Sequence, residues 1–274
     1  MTVVPIALIQ MRSGIDPARN LNDAEALVRE AAARGARFVA TPETTHLVQR
    51  DAGALPALLR PMRTDPAMGR FAELAAELKL DLLIGSMAFA EPDGRAVNRS
   101  VLFAPTGEVK ATYDKIHMFD VSLGAGEQYR ESDTYQPGGQ AVLAEAAGFQ
   151  LGLTICYDVR FAALYRRLAQ AGAVAMTVPS AFTRPTGRAH WEVLLRARAI
   201  ETGSFIFAPA QGGLHEDGRK TWGHSMVVGP WGDVIAALDH DDPAVLYAEV
   251  SPADALKARS RIPALKGDRD FLGP

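Results

Sequence analysis

Among the 274 residues there is one cysteine, Cys156. No internal disulfide can form, and zinc or iron–sulfur sites built from several thiolates are excluded. A lone thiol in a disulfide-free chain fits a reducing compartment, so a cytoplasmic location is expected. No apolar run reaches the roughly 18 residues that would span a bilayer. The opening segment, MTVVPIALIQM, has neither a basic leader nor a small-residue cleavage site, and it reads as a first strand. Positive charge is not in excess either: 29 Lys and Arg face 32 Asp and Glu, a net charge of −3. With no basic field to neutralise phosphates, neither a nucleic-acid nor a membrane partner is expected. GxGxxG, P-loop, HExxH and GxSxG segments are all missing, which removes the simplest dinucleotide, nucleotide, zinc-protease and serine-hydrolase readings. Asn98-Arg99-Ser100 matches a glycosylation sequon, but such triplets arise by chance and nothing else points to secretion.

What is present is an ordinary globular composition, 48% hydrophobic and 22% charged, with apolar runs alternating with helical patterns from end to end. That alternation is the mark of α/β layering. Strands are expected over residues 3–10, 37–41, 80–89, 149–155, 174–179 and 205–209, with helices over 17–34, 67–79, 161–171 and 189–202. Leu21, Ala24, Val28 and Ala31 fall on one face of the first helix, which Gly35 stops. A hairpin is expected from Ser100 to Tyr113 about a Thr106-Gly107-Glu108 turn, then an irregular loop over 119–139. Residues 225–228, a Trp231-Gly232-Asp233 turn and 245–250 complete the sheets, and Ser251-Pro252 starts a last helix. No linker separates two compositions, so one domain over 1–274 is expected, with 262–274 a tail placed to pack on a partner subunit.

Cys156 stands where the apolar strand 149–155 gives way to Tyr157-Asp158-Val159-Arg160. A thiol there can face a pocket and feel the backbone N–H groups of the next turn, although a lone cysteine is more often a small buried hydrophobe. Two further ionisable residues follow strand ends: Glu43, after a proline, and Lys115, after Asp114. Ligand sites in α/β sheets form beyond the carboxyl ends of strands, so a carboxylate, an ammonium and a thiol would converge on one crevice. Amide hydrolysis needs such a trio. The carboxylate takes the thiol proton, sulfur attacks the carbonyl, and the ammonium together with the Tyr157 N–H holds the oxyanion.

On these residues the sequence resembles the nitrilase-like carbon–nitrogen hydrolase family. The match lies in Pro42-Glu43, in Tyr113-Asp114-Lys115-Ile116-His117, and in Gly152-Leu153-Thr154-Ile155-Cys156-Tyr157-Asp158-Val159-Arg160-Phe161. The resemblance covers nearly the whole chain. It implies a four-layer αββα sandwich, a Glu43, Lys115, Cys156 triad, no metal or organic cofactor, and a homodimer or higher homo-oligomer. It also assigns Glu131, beside Ser132, to a supporting place, positioning Lys115 or the substrate amide unless it is a solvated loop acid. Pro179-Ser180-Ala181-Phe182-Thr183, Ala189-His190-Trp191-Glu192 and Trp222-Gly223-His224-Ser225 are similar to the branch of amidases acting on deaminated glutathione. The alternative is the sister omega-amidase branch, which hydrolyses 2-oxoglutaramate to 2-oxoglutarate and ammonia. Such substrates carry a carboxylate. Arg160 would supply a fork for it or else a structural ion pair, with Phe182, Thr183 and His190 as further substrate contacts. His190 can equally cap its helix, while Trp191 belongs to the core and Arg196 and Arg198 to a charge-paired helix face. Gly124-Ala125-Gly126 and Thr44-Thr45-His46 depart from the family pattern near the pocket, and His46, His215 and His224 have no role legible from sequence.

Overall fold

A computed structural model describes residues 3–51, 53–124 and 127–273, without the side chains of Gly124 and Glu127. Two six-stranded sheets carry the architecture. With strands numbered along the chain, the first sheet runs in the spatial order β16 (Ala244–Val250), β1 (Val4–Gln10), β2 (Phe38–Ala40), β3 (Asp81–Ala90), β4 (Ala96–Phe103), β5 (Val109–Asp114). The second runs β15 (Val234–Ala237), β14 (Met226–Val228), β11 (Phe205–Ala208), β10 (Ala175–Thr177), β9 (Phe149–Leu153), β8 (Val142–Ala146). Two small hairpins, β6 (Asp120–Gly124) with β7 (Glu127–Arg130) and β12 (Gly212–Leu214) with β13 (Lys220–Trp222), stand apart. The helices are α1 (Pro17–Ala33), α2 (Leu55–Leu58), α3 (Pro66–Leu78), α4 (Ala162–Gln170), α5 (Arg184–Thr202) and α6 (Pro252–Arg261).

The continuous apolar runs become intelligible once the strands are seen to be covered on both faces. Along β1, Ile6 and Leu8 point between the sheets, whereas Ala7 and Ile9 pack against Leu21, Ala24 and Val28 of α1 and Phe71 and Leu74 of α3. Phe38 of β2 meets Phe207 of β11 across the inter-sheet gap, ring centroids 5.9 Å apart. Each such fully buried ring contributes roughly 1.5–3 kcal/mol. On the far side of the second sheet, Tyr165 and Leu168 of α4 and Leu195 and Ala199 of α5 close the core. Helix, sheet, sheet, helix is the four-layer αββα sandwich expected.

Parallel strands β1, β2, β3 and, in the other sheet, β9, β10, β11 bring their carboxyl ends to a common rim. There a bridge between Met11 and Gln211 joins the end of β1 to the segment after β11. Gly85, at a register shift in β3, is needed at this rim. A Cβ on it would overlap the Thr41 and Pro42 carbonyl oxygens and the Pro179 side chain of the other sheet.

Three expectations need correction. The stretch 119–139 is not irregular: it holds the β6–β7 hairpin and a 3₁₀ turn, Glu131–Asp133. Its strands are four and five residues long, too short for the alternation to register. Ala125 and Gly126 lie outside the described residues. Helix α5 starts at Arg184 rather than at residue 189, because Pro185 is compatible with a first helical turn and Gly187 is where the Trp222 side chain packs directly on the helix backbone. His190 therefore lies inside the helix and caps nothing. The segments 225–228 and 245–250 do complete the sheets, one in each. After the Trp231 turn the chain forms β15 against β14, then crosses to pair β16 with β1. Of the tail, the 3₁₀ turn Ala264–Lys266 lies on α4 of its own chain, where Arg166 donates to Ala264 O and Gln170 to Leu265 O.

Candidate active site

Beyond β2 the chain passes Thr41 and Pro42 to Glu43, then turns at once through Thr44, whose φ of 54° lies in the left-handed region. The Thr44 N–H donates to Ser86 Oγ at 2.9 Å, which holds the turn. Glu43 is thereby aimed into the gap between the sheets and is 4% exposed. Its Oε1 accepts from Lys115 Nζ at 2.9 Å and Asn98 Nδ2 at 3.0 Å, and its Oε2 from the Ala181 N–H at 2.9 Å.

Lys115 directly follows β5 and is 2% exposed. Besides the bond to Glu43, it donates to both carboxylate oxygens of Glu131, at 2.9 and 2.8 Å. Glu131 Oε2 also accepts from the Phe119 N–H, which ties the β6–β7 hairpin to the ammonium. One cation thus serves two carboxylates, and its three donors are all engaged.

Cys156 opens a 3₁₀ turn, Cys156–Arg160, immediately after the second-sheet strand. Its φ of 47° is strained for a residue with a side chain, a cost on the order of 1–2 kcal/mol. Named bonds hold it there. The Cys156 N–H donates to Pro179 O at 2.9 Å. Asp158, fully buried, accepts from the Ile155 N–H at 2.9 Å and the Tyr113 hydroxyl at 2.7 Å, and its other oxygen from the His117 N–H at 3.1 Å. At the first turn of a helix backbone donors lack intrahelical acceptors, so the Tyr157 N–H is available beside the sulfur.

The three groups set one another's charge. Burial pushes the Glu43 carboxyl up, but the Lys115 charge and hydrogen bonds from Cys156, Lys115 and Asn98 outweigh it and hold the carboxyl below its usual range. Burial opposes the Lys115 charge, yet Glu131 and Glu43 keep its pKa well above the ordinary lysine value. The Cys156 thiol is pushed well above its usual value by burial and then by the Glu43 charge. At neutral pH the resting site is carboxylate, ammonium and neutral thiol, with the thiol within hydrogen-bonding reach of Glu43.

Glu43, Lys115, Cys156, Glu131, Tyr157, Phe182 and Thr183 line one cavity of about 370 Å³. Arg160 and His190 are not among its lining residues. The Arg160 guanidinium lies over the rings of Tyr157 and Phe182, at 5.7 and 5.5 Å, and its Nη2 is 3.2 Å from His190 Nδ1. Trp191 is buried and donates to His224 O, Arg198 donates to Val159 O and Glu201, and Arg196 pairs with Glu192. His215 bridges Ser13 O and Thr221 Oγ1. His46 is buried with neither ring nitrogen hydrogen-bonded to a described residue, and burial lowers its pKa to about 4. Among the described residues no three His, Cys, Asp or Glu side chains gather as metal ligands would.

Sequence reasoning passed over Asn98, the Ala181 N–H and Asp158. Asn98 donates to Glu43 and, at 3.3 Å, to Glu131. Its signal was present as a polar residue inside a strand otherwise rich in apolar ones, but the sequon reading drew it to the surface. Asp158 was visible only as part of the cysteine motif. A backbone donor such as Ala181 N–H leaves no side-chain signal.

Comparison with known proteins agrees with this geometry. A family model described as carbon-nitrogen hydrolase matches residues 5–260. A deaminated glutathione amidase of Yersinia enterocolitica is 38% identical over 267 residues, 96% of this chain and 92% of that one. Among solved structures, the C. elegans NitFhit protein superposes with a TM-score of 0.88 at 31% identity over 97% of this chain, which spans 65% of that longer one. An amidase from Nesterenkonia sp. AN1, in a variant carrying the acetamide moiety of fluoroacetamide covalently added at its active site cysteine, gives a TM-score of 0.79. It is 28% identical, with 93% of this chain and 92% of that one covered.

Proposed function

The chain belongs to the carbon–nitrogen hydrolase family and is a hydrolase of carbon–nitrogen bonds in amides; from that premise we propose that it hydrolyses deaminated glutathione to 2-oxoglutarate and cysteinylglycine through a thioester on Cys156. The observation that carries the reading is the convergence of Glu43, Lys115 and Cys156 on one cavity, joined to the similarity with amidases bearing that substrate name. In the proposed reaction Glu43 takes the thiol proton as sulfur attacks the amide carbonyl. Protonation of Glu43 weakens its hold on Lys115, so one ammonium N–H turns to the new oxyanion beside the Tyr157 N–H. Glu43 then passes its proton to the departing amine, and once ionised again it activates the water that hydrolyses the thioester. Glu131 and Asn98 position Lys115 and Glu43, Phe182 and Thr183 shape the acyl pocket, and Arg160, beside His190, braces the Tyr157 and Phe182 rings.

Among the described residues no helix is long and apolar enough to cross a membrane. The need for a free thiol suits the cytoplasm. The exposed Val193 and Ile200 on α5 and Leu256 on α6 suit a homodimer that covers them.

The test is a paired assay: cysteinylglycine release from deaminated glutathione and ammonia release from 2-oxoglutaramate, in the parent protein and in Cys156→Ala. Faster turnover of the first, abolished in the variant with its melting temperature kept, is expected, since losing a group that acts with its partners costs several orders of magnitude. Preference for 2-oxoglutaramate would replace the substrate, and turnover by Cys156→Ala would remove the mechanism.

A further inference from the structure

The candidate cavity has a second cationic group that the reaction above does not use. The β12–β13 hairpin turns through Glu216, Asp217 and Gly218, where the Gly218 φ of +84° closes the turn and the His215 N–H donates to Arg219 O at 2.8 Å. The Arg219 side chain is thereby carried onto the cavity wall with Tyr135. Its Nε is buried and makes no hydrogen bond to any described residue. Asp217 Oδ2 forms an ion pair with it at 4.0 Å, too long for a hydrogen bond, and that oxygen too is buried without one, so the Nε–H stays open. A buried donor left open carries a desolvation cost that a ligand oxygen would relieve.

Among the described residues no other cation lining the cavity is placed to do this. The Lys115 donors are spent on Glu43 and Glu131, while Arg50 and Arg130 line the same cavity but are exposed to solvent. Tyr135, on which the Arg219 charge acts, makes no side-chain hydrogen bond among the described residues and offers a neutral donor alongside.

We propose that Arg219 is the specificity-determining residue of this pocket, its guanidinium taking a carboxylate of the amide substrate in a charge-assisted hydrogen bond. The inference rests on the amidase reading and deepens it: the preferred substrates are amides that are anionic away from the scissile bond. That carboxylate is either on the acyl part, as in a 2-oxo acid, or at the C-terminus of a peptide leaving group, and the ligands below separate the two.

Binding is measured by calorimetry on Cys156→Ala, with and without Arg219→Gln, using deaminated glutathione, its C-terminal carboxamide and 2-oxoglutaramate. Arg219→Gln should weaken deaminated glutathione on the order of tenfold to a hundredfold, and Arg219→Lys should recover part of the loss. If the peptide carboxylate is the partner, the carboxamide binds the parent as weakly as the free acid binds Arg219→Gln, and 2-oxoglutaramate is unaffected. If the acyl carboxylate is the partner, all three ligands weaken alike. The free-acid and carboxamide comparison is made on the parent and needs no Arg219 variant to fold. Affinities within about twofold across every ligand and variant, or no binding of any ligand, overturn the proposal. Turnover by the protein with Cys156 intact is scored separately. Turnover without Arg219-dependent binding removes this subsite alone, whereas Arg219-dependent binding without turnover removes the amidase substrate reading alone.

Discussion

Replacing Lys115 by methionine, which keeps most of the side-chain volume and deletes the charge, tests the electrostatics of the site as a whole. Lys115 is 2% exposed and is the cation shared by two carboxylates, Glu43 and Glu131. Breaking a buried ion pair from one side costs about 3–5 kcal/mol. With an unfolding entropy of roughly 0.6 kcal/mol per kelvin for a chain of 274 residues, the melting temperature should fall by about 5–9 °C near pH 8. The pH dependence carries the sharper test. In the parent, Glu43 is held below its ordinary 4.5, so it contributes stability that is present above pH 4.5 and is lost as pH falls through the lower folded value. Without the ammonium, burial dominates and the carboxyl rises above 4.5. The folded variant then binds a proton that its unfolded chain does not, and it gains stability as pH falls from 8 toward 5. The gap in melting temperature between parent and variant should therefore narrow toward acid, while turnover drops by about three orders of magnitude or more at every pH. A gap that stays constant or widens from pH 8 to 5 would refute the reasoning, because it would mean that Lys115 does not govern the Glu43 proton.

The reactive form proposed has Glu43 ionised, with its pKa below 4.5, and Cys156 protonated, with its pKa well above 9.0. The kcat/KM profile should accordingly be flat from about pH 5.5 to 8.5, and an inflection between pH 6 and 8 would point to another titrating group. Gly85→Ala forces a Cβ into the Thr41 and Pro42 carbonyls and the Pro179 ring, which belong to both sheets and cannot give way. A stability loss of about 3 kcal/mol is expected by urea denaturation, together with loss of turnover, and an unchanged midpoint would contradict that close approach. Asp158→Asn replaces one carboxylate oxygen by an amide donor, which then opposes either the Ile155 N–H and Tyr113 hydroxyl on one side or the His117 N–H on the other. It should cost roughly 1–3 kcal/mol and slow alkylation of Cys156 by iodoacetamide, and an unaltered alkylation rate would show that Asp158 does not hold the nucleophile turn.

How much was legible in the sequence depended on whether a residue's own chemistry announced its place. Doubly covered strands such as 3–10 and 149–155 read clearly because burial on both faces demands unbroken apolar runs, and the site groups Glu43, Lys115 and Cys156 read because each follows the end of a strand, although the one before Lys115 is largely open to solvent. The division of strands between sheets was not legible. Nothing in the local composition of 244–250 says that it leaves the β14 neighbourhood and pairs with β1, since that choice depends on long-range contacts. Arg160 illustrates a further limit. Its spacing from Cys156 is set by sequence, but its direction is set by the 3₁₀ turn and by the rings of Tyr157 and Phe182, over which the guanidinium lies. Asn98 shows the converse, since its triplet fits a surface modification site while its strand register buries it between two carboxylates.

The arrangement of two acids, one ammonium and one neutral thiol explains why a thiol with so high a pKa can serve as nucleophile. A free thiolate in this cavity would stand beside the Glu43 carboxylate with Lys115 already shared, and it is that repulsion, added to burial, which keeps sulfur protonated at rest. Attack with simultaneous proton transfer avoids the thiolate altogether. Glu43 loses its charge as the substrate oxygen gains one, so Glu43, Glu131, Lys115 and that oxygen together carry the same net charge of minus one before and after, and the charge only moves across the Lys115 ammonium. In a buried site, moving a charge past a fixed cation costs far less than creating a second one. Glu131 follows from the same logic. Were Glu43 the only acid, its protonation would leave Lys115 with no permanent partner at the moment of reaction, whereas the bidentate contact from Glu131 keeps the ammonium in place while its bond to Glu43 is exchanged for one to the oxyanion.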